Sequence, residues 1–455
     1  MVGGGLAGAS AALACADAGA DVTLLEVRPR LGGAVYSFRR DGLWIDNGQH
    51  VFLRCCTAYR AFLERVGAAG STVLQRRLSI PVLAPGGRSA RLERNALPAP
   101  LQLGGALARY PYLTRSERAR CAVTALALAR LDREDPTLDR ATFGAWLAER
   151  GESAAAVEAL WNLIALPTLN LPASEASLAL AAQVFQVGLL DRRDAGDMGY
   201  AGAPLSSLHD APVLRTLSAA GVDVRLRWRV ERIRGDRRGG YEVEGPAGAL
   251  GADAVVLAVP PARARGLLPS RALADAGRLE RLGESPIVNL HVVYDRAVTE
   301  LPFAAAVGSP VQWVFDRTDS SGLASGQYLA VSLSGATEEI AMRPDALRER
   351  FLPALAELFP AAREAVVERF FSTREPAATF RAAPGVARLR PGPRTQAPGL
   401  LLAGAWTDTG WPATMEGAVR SGLSAAQEAV AALSGADRGD ARPGADVLEA
   451  GAAAR

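Results

Sequence analysis

Gly3-Gly4-Gly5-Leu6-Ala7-Gly8 opens this 455-residue chain with the spacing G-x-G-x-x-G, and its surroundings decide the fold. An alanine-rich helical stretch runs on to Ala18, and Gly19 supplies its stop. Residues 21–25 are a short apolar strand that ends on Glu26, and Leu31-Gly32-Gly33 makes a second glycine turn. Each glycine of the first turn has its own task. Gly3 permits the tight turn, Gly5 lets the backbone approach a pyrophosphate, and Gly8 lets the helix pack close to the strand. The phosphates then meet Leu6, Ala7 and Gly8 at a helix N-terminus, where free N–H groups and the dipole favour negative charge. Glu26 lies 18 positions after Gly8, close to where a carboxylate reaches adenosine ribose hydroxyls. The unit reads as a dinucleotide site, with Gly3, Gly5, Leu6, Ala7, Gly8, Glu26, Gly32 and Gly33 as its binding residues.

Composition narrows the rest. Apolar residues at 49% and charged residues at 22% describe a globular enzyme, and the length calls for two domains or one with large insertions. A formal charge of +3 does not suggest nucleic acid as a partner. All 51 basic residues are Arg, so no lysine Schiff base, catalytic lysine or P-loop lysine is available. The four cysteines form no CxxC or zinc spacing, which fits a reduced, cytoplasmic chain. His50, His209 and His291 lie far apart in sequence, and no metal site is expected. No run of 18 apolar residues exists to span a bilayer.

Along the chain, residues 97–190 carry Ala and Leu at helical spacing. Residues 222–233 alternate like a strand and contain Val230, which joins the expected cofactor-binding set. Residues 254–259 and 400–404 are buried-strand runs, residues 286–334 are β-rich, and a helix is expected around 344–358. Residues 417–433 form a small-residue helix, and the tail 434–455 is expected to be disordered. The predicted architecture is α/β: a Rossmann-like cofactor domain from 1–80, 210–275 and 385–433, with a mixed α+β substrate domain from 81–209 and 276–384. Only Met1 and Val2 precede the glycines, too few for a central strand of about five residues, so a native start upstream of Met1 is expected.

The other end of the chain identifies the dinucleotide. Residues 400–404, 406–410 and 415–422 (Met415-Glu416-Gly417-Ala418-Val419-Arg420-Ser421-Gly422) form a strand, a loop and a helix start. This segment resembles the second flavin motif of the flavin amine oxidase and phytoene desaturase superfamily. The resemblance implies FAD, bound also by Gly404, Met415 and Glu416, with the helix dipole facing the flavin. Three further stretches match one family more closely: Asp46-Asn47-Gly48-Gln49-His50-Val51, residues 309–317 (SPVQWVFDR) and residues 409–417 (TGWPATMEG). They resemble the squalene-associated FAD-dependent desaturases, the hydroxysqualene dehydroxylases of squalene and hopanoid biosynthesis, from residue 2 to about 430. Ala34 and Ala405 depart from the Arg and the acidic residue that many relatives carry after Gly-Gly and Ala-Gly.

What the resemblance implies is removal of an allylic hydroxyl from a C30 isoprenoid, hydroxysqualene, through a cation that reduced flavin quenches with hydride. The Ala/Leu-rich helices near 118–190 would house the chain, and Trp313, Trp406 and Trp411 could face the cation. An acid must help the hydroxyl leave. Asp46, His50, Asp408 and Glu416 can carry a proton; Asp408 and His50 are the expected catalytic residues, and Glu416 can instead cap the helix it opens. No second complete GxGxxG exists, so electrons are expected from an external donor. A water-insoluble substrate implies peripheral contact with the inner face of the cell membrane, through residues 97–113 with Arg109, Tyr110 and Tyr112 as anchors. The alternatives are a carotenoid or phytoene-type desaturase and a flavin amine oxidase. The amine oxidases typically use a lysine that this chain lacks. A flavin-fold lipid carrier without chemistry is a further reading, at odds with the intact glycine loop.

Overall fold

The computed structural model describes residues 1–235 and 240–435. The expected tail lies outside the described residues from 436 onward. One parallel sheet gathers strands from distant parts of the chain. Asp223–Leu226 pairs with Thr23–Glu26, and Val255–Leu257 pairs with Leu400–Leu402. Val2 bridges Leu25 on one side and Leu257 on the other and joins the two pairs. Met1, Val2 and Gly3 make four ladder hydrogen bonds of 2.8–2.9 Å, to Leu25 on one side and to Val256 and Ala258 on the other. The helices Leu6–Asp17 and Met415–Leu433 cover this sheet and pack against each other through small residues. A Cβ on Gly422 would lie 2.1 Å from the Ala7 carbonyl oxygen, so the helices could not approach as they do with any larger residue there.

Residues 222–233 do not form one strand. They break into Asp223–Leu226 and Arg232–Gly235, because Arg227 takes a left-handed backbone (φ 59°) that turns the chain. The second sheet has seven strands, in the order Val367–Thr379, Ser285–Tyr294, Gln327–Ser334, Trp313–Asp316, Phe303–Ala306, Ser79–Ala84 and Arg88–Glu93. The helix Pro344–Leu358 buries Leu347, Phe351, Leu355 and Leu358 in one core with this sheet, a stripe at the helical period.

Residues 97–190 are largely helical. Thr114 and Glu117 form a capping box at the start of Arg115–Leu128. Phe143, Trp146, Trp161 and Phe185 pack together behind it, with Phe143 and Trp161 edge to face at 5.7 Å. The expected interfacial anchors need correction. Tyr110 is buried and donates its hydroxyl to the Ala159 carbonyl at 2.7 Å, and Tyr112 donates to Val82 O at 2.9 Å. The Tyr110 ring serves the interior and Tyr112 is half-buried, while Arg109, Leu97 and Leu101 are exposed.

Two buried histidines make the fold acid-sensitive. His291 lies between the Tyr328 hydroxyl (2.6 Å) and Thr373 Oγ1 (3.0 Å) and stacks on Phe371. His209 lies between the Tyr59 hydroxyl (2.8 Å) and Leu205 O (2.9 Å). Burial pushes each down to about 3. The unfolded rings take up protons below about 6.5, while the folded rings refuse them until about 3. Stability is therefore intact above pH 6.5 and falls as pH drops through that window. Urea unfolding from pH 7 to pH 4 is expected to show this fall, and His291→Gln should make it shallower. An unchanged slope in the variant would contradict the assignment.

Candidate functional site

The glycine loop separates into positions the chain itself requires and one it does not. Gly3 has φ 105°, and a Cβ there would sit 2.3 Å from Ala258 O. A Cβ on Gly8 would sit 1.9 Å from Gly3 O. Gly32 and Gly33 have φ 90° and 59°, and a Cβ on Gly33 would lie 2.8 Å from the Gly5 Cα. Gly5 differs. Its backbone is extended (φ −75°, ψ 179°), and an added Cβ would meet only the Gly33 Cα, at an ordinary 3.6 Å. Nothing in the folded chain forces glycine at position 5.

Gly5 is the N-cap of Leu6–Asp17. That helix has no side-chain cap and no acidic residue in its first turn, so its N-terminal N–H groups and positive dipole end are left for an anion. Glu26 is buried beside them. Its Oε2 accepts from Gly4 N–H at 2.6 Å and its Oε1 from Arg28 N–H at 2.7 Å, which fixes the carboxylate next to the loop. An open glycine, an uncapped helix and a fixed carboxylate fit the adenosine diphosphate half of FAD.

The second motif is built from the end of Leu400–Leu402. Gly404 takes φ 143°, its N–H donates to Ser421 Oγ at 2.8 Å, and the Trp406 indole N–H donates to Val259 O at 3.0 Å. Buried Arg390 props the following loop from beneath: it donates to the carbonyls of Thr407 and Ala405 and to Thr409 Oγ1. Thr414 caps Met415–Leu433, with Oγ1 accepting from Gly417 N–H at 3.1 Å. Glu416 does not cap its own helix. Its carboxylate crosses to the start of Thr57–Arg65, accepts from the N–H groups of Ala58 (3.2 Å) and Tyr59 (2.7 Å), and pairs with Arg420 at 2.6 Å. A cofactor would therefore meet Glu416 through its backbone. Val230 is buried in the bend after Arg227, and its carbonyl accepts from Arg263.

A small polar cavity of about 10 Å³ lies where the 46–51 and 309–317 stretches meet. Asp46 and Arg317 form a buried ion pair at 2.7 Å there. Asp46 also accepts from Ser37 Oγ (2.6 Å) and Leu205 N–H (3.0 Å), and Arg317 donates to Ala201 O (2.7 Å). Asp46 thus ties the 46–51 stretch to the 309–317 stretch. Its partner lies 271 residues away, which no spacing could reveal.

His50 lines this cavity, with Nδ1 3.1 Å from Gly48 O. That contact puts the ring proton on Nδ1 and leaves Nε2 as an acceptor. Burial lowers the His50 pKa, so the ring stays neutral and its Nε2 can accept a hydrogen bond, whereas the acid role expected of it needs the protonated ring that burial disfavours. Asp408 is exposed, and its Oδ1 accepts from Gly410 N–H at 3.4 Å. No hydrogen bond among the described residues joins it to His50. Trp406 is buried and held by Val259; Trp313 and Trp411 are half-buried, against Phe315 and under Arg420 respectively. Sequence reasoning did not find Gln49, Tyr200 and Phe315, which also line the cavity. Tyr200 stands opposite Val51 in a strand pairing, a register visible only in the folded chain.

The family model described as flavin containing amine oxidoreductase matches residues 6–430. The chain is 31% identical to a hydroxysqualene dehydroxylase of Rhodopseudomonas palustris, over 95% of this chain and 98% of that protein. It is 27% identical to a probable zeta-carotene desaturase of Synechococcus elongatus, over 94% and 97% of the two chains. Among solved structures, the cyclohexylamine oxidase of Brevibacterium oxydans superposes with a TM-score of 0.72 at 20% identity, covering 95% of this chain and 98% of that one. A putrescine oxidase variant gives the same score and identity over 94% and 98%. These last two likenesses carry the fold alone.

Proposed function

The chain belongs to the flavin containing amine oxidoreductase family and is an FAD-dependent oxidoreductase, and from that footing we propose that it reductively removes the hydroxyl of hydroxysqualene to give squalene. The carrying observation is the meeting of residues 46–51 and 309–317 on one polar cavity, closed by the Asp46–Arg317 pair. Both stretches resemble hydroxysqualene dehydroxylase signatures, and the whole-length relationship to such enzymes supports the same reading. In the balanced reaction the allylic C–O bond breaks, a hydride reaches the carbon, and the oxygen leaves with a proton as water. Reduced FAD supplies the hydride when bound. Gly5, the N-terminus of Leu6–Asp17 and Glu26 would hold its adenosine diphosphate half, with Gly404 and the Met415 end of the last helix near the ring. Asp408 remains a candidate proton donor, and His50 Nε2 an acceptor that can orient a hydroxyl.

A second reading, polyene desaturation, is favoured by the carotene desaturase relative. Amine oxidation is disfavoured by the absence of lysine. Electrons would come from an external donor. Peripheral membrane contact, if made at 97–113, would use Leu97, Leu101 and Arg109; no helix among the described residues is long and apolar enough to cross a membrane.

The flavin band separates the two readings. Photoreduced enzyme mixed with hydroxysqualene without oxygen is expected to regain the oxidised band. Bleaching of oxidised enzyme by squalene or another polyene, with no response of the reduced form to hydroxysqualene, would favour the desaturase.

A further inference from the structure

The Gln49 side-chain amide makes no hydrogen bond among the described residues, and its Nε2 is sealed from solvent in that state. A buried amide donor left unpaired costs about as much as a lost hydrogen bond, so such groups are few in folded proteins and call for a partner. Gln49 lines the same cavity of about 10 Å³ as His50 and Tyr200. That volume suits one oxygen-sized group. The wall is chemically mixed. Gln49 Nε2 is a donor, the neutral His50 ring offers Nε2 as an acceptor, and Phe315 closes an apolar side. A hydroxyl needs one donor to its oxygen and one acceptor for its proton, and Gln49 with His50 supplies that pair.

The cavity is also tied to the glycine loops. Leu205 in its wall belongs to the short helix Leu205–His209, and a Cβ on Gly32 would come within 3.2 Å of the His209 Cβ, next to Gly33 and Gly5. Neighbouring polar groups are already engaged. Asp46 is held by Arg317, Ser37 and Leu205, and Asn47 bonds Ala34, Glu375 and Tyr36. Gln49 alone in this motif retains an amide without a partner.

We propose that Gln49 recognises the hydroxyl of the substrate: its Nε2–H donates to the hydroxyl oxygen while His50 Nε2 accepts the hydroxyl proton. This rests on the dehydroxylase reading, and it makes Gln49 the residue that distinguishes an alcohol from the corresponding hydrocarbon. A site built to hydrogen-bond a hydroxyl discriminates against a ligand that leaves its polar groups unpaired.

The test is a titration of oxidised, FAD-loaded enzyme with hydroxysqualene and with squalene, read as perturbation of the flavin spectrum. Wild type is expected to prefer hydroxysqualene by about tenfold or more, the worth of one hydrogen bond. Gln49→Leu should lose that preference and keep wild-type affinity for squalene. Gln49→Asn, which retains a donor on a shorter arm, should recover part of it. If wild type discriminates and Gln49→Leu discriminates equally, the assignment of Gln49 is wrong. If wild type responds to neither lipid, the C30 reading itself fails. Wild-type affinity for squalene in Gln49→Leu also shows that the variant is folded, so a loss of both ligands would overturn the recognition role in favour of a structural one.

Discussion

Gly5→Val is expected to give a protein that folds like wild type and purifies without the yellow of bound flavin. The extended backbone at Gly5 accepts a side chain, and the added Cβ meets only Gly33 at 3.6 Å. What the side chain fills is the approach to the uncapped N-terminus of Leu6–Asp17. Two or more charge-assisted hydrogen bonds of about 1.5–3 kcal/mol each would be lost there, and roughly 100-fold or more in FAD affinity with them. Circular dichroism checks the fold, and the visible flavin band checks the cofactor. Gly8→Val is the contrasting control. Its Cβ would lie 1.9 Å from a backbone oxygen, so it should fail to fold. A Gly5→Val protein as yellow as wild type would show that the cofactor is held elsewhere.

The second large effect is expected at the buried pair. Arg317→Met should destabilise the protein by about 3–5 kcal/mol, because it strands the Asp46 carboxylate in the interior. The double variant Asp46→Leu with Arg317→Met should recover much of that loss, since an apolar pair of similar volume needs no charge partner. Urea unfolding at constant m-value is the measurement. A loss in Arg317→Met below about 1 kcal/mol would mean the pair behaves like an exposed one and does not tie the two stretches together.

The parts of the molecule that could be read from sequence are those whose information is local. The glycine loop, Glu26 and the apolar runs at 255–257 and 400–402 announce themselves within a few residues, because turn geometry and strand burial act over that range. The break at Arg227 was not legible, since alternation continues through a residue that only the folded chain forces into a left-handed turn. Polar roles in the site were the least legible. Asp46, Glu416 and His50 all carry or accept protons in principle, but long-range partners decide what each does. Arg317 fixes Asp46, the open helix start at Ala58 and Tyr59 takes Glu416, and the enclosed cavity keeps His50 neutral. Gln49 lies inside the 46–51 stretch but carries no charge to single it out, so its unpaired amide became visible only once its neighbours were in place.

The most direct test of the dehydroxylase reading follows one hydrogen. Enzyme photoreduced in deuterium oxide carries exchangeable deuterium on the reduced flavin, and hydroxysqualene is added without oxygen. The expected product is squalene bearing one deuterium at the carbon that held the hydroxyl, formed in step with return of the oxidised flavin band. Squalene without deuterium at that carbon, or no squalene while the reduced flavin persists, would contradict hydride delivery to an allylic cation in this protein.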